Sequence, residues 1–168
     1  VWTGDAEKDY RPVPEGVKIG DLVHEDDVIS FLNLISTESE DTKYPFATDE
    51  FRKEFKHTFW MVPGVKEAKA LSAILKRHTV FMHYQVVNVA GEGNEELPYD
   101  NALKLVQDAI KENEYTITIS CGKLTTGVTV REWTAVMMLT GSTTTDAKGY
   151  MQTIFRVQSA GQIDGKQK

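Results

Sequence analysis

Helical spacing first appears where Val28, Phe31, Leu32 and Ile35 stand at i, i+3, i+4 and i+7, behind the acidic run Glu25-Asp26-Asp27 that suits a helix N-terminus. A polar stretch from Ser36 to Lys43 follows, and Asp49 to Phe55 predicts a short second helix. From His57 onward the texture changes to an alternation of strand-like and helix-like runs. Thr58 to Val62 reads as a buried strand stopped by Pro63-Gly64, and Lys66 to Arg77 as an amphipathic helix with Leu71, Ile74 and Leu75 on one face. Thr79 to Val89 is β-rich and closes on Ala90-Gly91-Glu92-Gly93-Asn94. Pro98-Tyr99-Asp100 opens a helix with Leu103, Val106 and Ile110 aligned, ending near Asn113. Tyr115 to Ser120 and Trp133 to Leu139 read as further strands, and a last helix is predicted from near Asp146 through Phe155.

Such alternation predicts an α/β domain with a mainly parallel sheet of about five strands covered by helices in three layers. In such sheets function gathers in the loops beyond the carboxyl ends of the strands. Pro63-Gly64, Gly91 to Glu95 and Cys121 to Thr129 are therefore the places where a site is expected.

Composition changes this picture little. The chain has 168 residues, 40% hydrophobic and 26% charged, enough for one sizeable core, and its formal net charge of -6 does not advertise a polyanion partner. A groove that tracks a nucleic-acid strand needs only local amides, hydroxyls and a few cations, so such a partner stays open. One cysteine, Cys121, excludes an internal disulfide framework, and the four histidines form no ligand spacing with it, so no metal site is expected. No run approaches a membrane span and no signal segment opens the chain, which predicts a cytoplasmic protein. The start at Val1 and the polar end suggest a piece of a longer protein. No Walker A sequence, GxxxxGK[ST], occurs, and Gly91-Glu92-Gly93 lacks the third glycine of a dinucleotide fingerprint.

Three stretches in order carry a resemblance. Thr116 to Val130, with Cys121-Gly122-Lys123-Leu124-Thr125-Thr126-Gly127-Val128-Thr129, resembles motif V of superfamily 2 helicases. Tyr150-Met151-Gln152-Thr153-Ile154-Phe155-Arg156 resembles their motif VI, in which a glutamine or histidine is followed four residues later by an arginine, and Phe59 to Leu75 fits the strand and helix of motif IV. The resemblance covers residues 57 to 161 and is to the second RecA-like lobe of DEAD/DEAH-type helicases, with a motif V most similar to helicase subunits of bacterial restriction and phage-defence enzymes. It implies a helicase C-terminal domain over 57–168, preceded at 1–56 by a linker or partly helical insertion.

The resemblance also implies roles. Arg156 becomes the arginine finger that completes an ATP site whose phosphate loop and Mg2+ ligands sit on a first RecA-like lobe, and Gln152, one turn earlier, aligns phosphates or water. Gly127 and Thr129 fall at ATP-binding positions. Lys123, Thr125, Thr126, Gly64 and Val65 would hold a strand backbone, of DNA or alternatively RNA, and nuclease or methyltransferase domains are expected in the same parent. Two positions depart from the family pattern: Ser159 stands where a second arginine is usual, and Thr129 where an aspartate often contacts the ribose. The rival reading is a non-catalytic RecA-like module that docks a protein, or, for the threonine-rich loop alone, a plain turn between strands.

Overall fold

The computed structural model describes residues 24–38, 44, 46–91, 98–122, 124, 130–139, 147–155, 157–158, 162–163 and 166–167. Elements run in the order α1 (Glu25–Ser36), α2 (Asp49–Glu54), β1 (His57–Met61), α3 (Val65–Leu75), a 3-10 turn (Phe81–His83), β2 (Gln85–Asn88), α4 (Tyr99–Glu112), β3 (Thr116–Ser120), β4 (Ala135–Met138), α5 (Ala147–Ile154), β5 (Gln162–Ile163) and β6 (Lys166–Gln167). The first four strands form one parallel sheet in the order β2-β3-β1-β4, and β5 and β6 pair antiparallel on their own.

Side-chain alternation along each strand sorts residues onto two faces. Trp60, Val62, Val86, Ile117 and Ile119 point into a core with Ala68, Leu71, Ile74 and Leu75 of α3, while Phe59, Val87 and Val89 point into a second core with Ala102, Val106 and Ala109 of α4. This is the three-layer α/β arrangement expected of a RecA-like domain. The crossover from β1 to β2 passes over β3 in one direction, and that from β2 to β3 returns in the other, so a right-handed rule puts their helices on opposite faces. The third crossover, from β3 past β1 to β4, moves in the same direction as the second and must share its face. It does: Leu124, Val130 and Trp133 from this connection lie in the α4 core, with the Trp133 ring tilted against that of Phe59, centroids 4.6 Å apart.

Three local outcomes differ from the sequence reading. The β-rich run from Thr79 is a turn and 3-10 helix up to His83, because Phe81, fully buried against Phe46, Trp60 and Tyr84, pulls the chain inward before β2 begins. The parallel sheet has four strands among the described residues. And α1 is part of the fold: Val28, Leu32, Ile35 and Phe46 join the α3 core, so a division at residue 57 runs through shared packing. Its attachment is reinforced by an ion pair from Arg77 to Glu25 and by the buried His78, whose Nε2 lies 3.1 Å from Asn33 Oδ1.

Candidate functional site at the carboxyl edge

The ladder extends past the ends of the strands. Val62 N–H donates to Ser120 O at 2.9 Å, Val89 N–H to Ile119 O at 2.9 Å and Leu139 N–H to Met61 O at 2.8 Å, so the loops after β1, β2, β3 and β4 all leave from one firm edge. The connections after the neighbouring strands β1 and β3 depart to opposite faces, and the crevice between such strands is where ligands bind in open α/β sheets. The three loops singled out in the sequence all begin here.

At β1 the chain turns through Pro63 and Gly64 into α3. Gly64 has ordinary extended backbone, yet a β-carbon there would lie 2.6 Å from Glu67 Oε2. Its lack of a side chain makes room for the buried Glu67 carboxylate, which folds back over the first turn of the helix, where the helix dipole favours negative charge. An anion reaching for the amides of Gly64 and Val65 meets this carboxylate. Sequence reasoning passed over Glu67; its position three residues after the N-cap was the available signal.

At β3 the loop is pinned. Gly122 takes φ +130° and donates its N–H to Ser120 Oγ at 3.3 Å. Two residues on, Leu124 adopts φ 60°, a left-handed conformation uncommon for a leucine, with its side chain 1% exposed in the α4 core. Burial of this side chain, roughly 1.5–3 kcal/mol, offsets the backbone strain and anchors the loop at one point. Lys123, Thr125, Thr126, Gly127 and Thr129 lie outside the described residues.

The helix α5 reaches the same edge. Thr153 is fully buried and its hydroxyl points to Met61 Sδ at 3.6 Å, which docks α5 on the last residue of β1, and Val157 packs on the α4 core beyond it. Gln152, half-buried, precedes that docking residue, while Arg156 lies outside the described residues. Of the nine sequence-predicted site residues the structure thus describes Gly64, Val65 and Gln152, and attaches the elements that carry them to the two ends of one short path, Met61 to Gly64. Among the described residues no group of three or more His, Cys, Asp or Glu side chains could hold a metal, and no helix is long and apolar enough to cross a membrane.

Comparison with known proteins gives a partial likeness. No family signature matches the chain, and no solved structure matches it. The chain is similar to a Mycoplasma pneumoniae protein described as a candidate type II restriction enzyme and methyltransferase, RM.MpnORF110P, C-terminus, with 36% identity over 110 residues and 62% of this chain. The matched stretch is 15% of that protein's length, so the chain corresponds to a small part of its relative.

Proposed function

We propose that this chain is part of a restriction-modification protein acting on DNA, and that within it the chain works as the second motor lobe of an ATP-dependent helicase or translocase. The observation that carries the reading is the meeting of three elements at one sheet edge. The β1–α3 turn, the start of the loop after β3 and the helix α5 lie within the stretches that resemble motifs IV, V and VI in that order, and α5 is docked on Met61 beside the crevice between β1 and β3. The relative's printed name supports the restriction-modification setting.

ATP with Mg2+ supplies the phosphoryl group whose hydrolysis drives such a motor, and its main binding groups belong to the first lobe. This chain's share is charge and orientation. Arg156 places a fixed positive charge against the phosphate oxygens, Gln152 orients the phosphate or water, and Gly127 and Thr129 line the nucleotide. Lys123, Thr125 and Thr126 hold a strand backbone without reading bases, with Leu124 fixing the loop that presents them. The buried Glu67 makes the Gly64–Val65 turn the weakest member of this set.

The test is ATP hydrolysis by the full-length parent with and without DNA, comparing the unaltered protein with Arg156→Ala. DNA-stimulated turnover that falls by about 10³-fold or more in the variant supports the finger. Undiminished turnover in the variant removes it, and a parent that never hydrolyses ATP turns the reading to a protein-docking module, for which Met151 on α5 and Phe155 just past its end, both exposed, supply the apolar contact.

A further inference from the structure

β4 has the composition of an inner strand and stands at the margin of the sheet. Ala135, Val136, Met137 and Met138, with Leu139 beyond, put apolar side chains on both faces, as in a parallel strand covered on both sides. Yet every one of them is half-buried, whereas β3 in the same sheet is buried throughout. Among the described residues β1 is its one neighbour. Leu139 N–H donates to Met61 O at 2.8 Å, so the two-residue alternation turns Met137 toward β1 as well and points the N–H and C=O groups of Val136 and Met138 outward. Such a row of backbone groups is a template for another strand, and no charged residue or proline from Thr134 to Leu139 guards it.

The path of the chain says which strand fits there. The connections from β2 to β3 and from β3 to β4 both run on the α4 face and step in the same direction across the sheet. α5 follows β4 on that face too, since Thr153 docks on Met61 and Val157 packs on the α4 core. Right-handed crossovers on one face all step the same way, so a parallel strand that follows α5 lies beyond β4, against its outward edge. β5 and β6, the two-residue strands after α5, pair with each other in a sheet of their own, so neither is that strand.

We propose that the outward edge of β4 is an interface, and that its occupant is a parallel strand of the parent protein that follows the β5–β6 turn in sequence. The added strand takes the outward groups of Val136 and Met138 into its ladder and covers the flank of the half-buried apolar run. α5 then joins two neighbouring strands, which holds the helix that carries Gln152 by both ends. The proposal rests on the reading that this chain is part of a larger protein, and not on the motor assignment.

Amide hydrogen exchange at single residues, in the 168-residue chain and in the full-length parent, tests it. In the 168-residue chain, kept dilute enough to be monomeric, Val136 and Met138 should exchange fast while Met137 and Leu139, facing β1, are protected. In the parent, Val136 and Met138 should slow by about tenfold or more, the effect of one added backbone hydrogen bond each, and stay slow on dilution. Fast exchange at both residues in the parent, protection already present in the 168-residue chain, or protection that fades as a second copy dissociates would overturn the proposal. ATP turnover enters none of these outcomes, so a failure here is seen apart from a failure of the motor reading.

Discussion

The two faces of the sheet are finished in different ways. The α3 face is closed by helices and by an aromatic cluster in which Phe46, Trp60, Phe81 and Tyr84 meet edge-on or tilted, with ring centroids from 4.9 to 6.0 Å apart. The α4 face is closed by α4, by α5 docked on Met61, and by a crossover that contributes Leu124, Val130 and Trp133 from irregular backbone. Regular elements meet their own backbone hydrogen bonds and can serve as packing alone, whereas a loop that must also pack has to accept an awkward conformation, as Leu124 does at φ 60°. The face closed in part by irregular backbone is the one from which the proposed motor residues are reached.

This contrast can be broken most sharply at Trp60. Trp60→Ala empties the centre of the aromatic cluster and removes the donor to Thr58 Oγ1 at 2.9 Å, and we expect a loss of about 3–5 kcal/mol in chemical denaturation. Because both faces share β1, tryptophan fluorescence from Trp133 should report the same transition as circular dichroism; two separate transitions would show that the faces are independent units. Leu124→Ala comes next, with an expected loss of about 2–4 kcal/mol. Its particular mark is faster amide exchange around Cys121, Gly122 and Val130 to Trp133 while α3 stays protected, and uniform loosening would deny the loop its special standing.

On the α3 face a pH effect follows from His78. Its Nδ1 accepts from Val80 N–H at 3.2 Å and its Nε2 faces Asn33 Oδ1, so the folded ring is neutral, and burial lowers its pKa below the ordinary 6.5. The unfolded chain therefore binds a proton first as the pH falls. The stabilisation is complete above pH 6.5 and declines as the pH drops from there to the folded value. His78→Gln should flatten that part of the stability profile; a profile as steep as before would remove His78 as the source. Smallest of all, Arg77→Ala should cost no more than about 1 kcal/mol, since its ion pair with Glu25 is largely exposed on both sides.

Much of the architecture was legible because it rests on local periodicity. The strand at Thr116–Ser120 and the helix at Tyr99–Glu112 lie within a residue or two of where their patterns placed them. What depended on distant neighbours was hidden. Phe81 looked like a strand residue until Phe46 and Trp60 were seen to draw it into a 3-10 turn, and the core that α1 shares was hidden because nothing in its own sequence names the residues it packs with. At the site, the order of the motif-like stretches was readable, but the docking of Thr153 on Met61 spans 92 residues and no spacing rule reaches that far. Glu67 was missed for the same reason: its place is made by surroundings, not by a pattern.

The strand order also sets a timetable for synthesis. β1 is the first strand made, yet its partners are β3, beginning at Thr116, and β4, beginning at Ala135. A chain growing from its amino end therefore carries Phe59, Trp60 and Val62 for some sixty further residues with both backbone edges of that strand without these partners, and for nearly eighty with one, spans given by the pairings of His57 with Thr116 and Thr58 with Ala135. Only β2 and β3 can zip together soon after both exist, so the sheet nucleates away from its own centre. Until the crossover ending in Trp133 arrives, the nascent protein displays an apolar strand with an open edge, the kind of surface through which unfinished chains pair with one another.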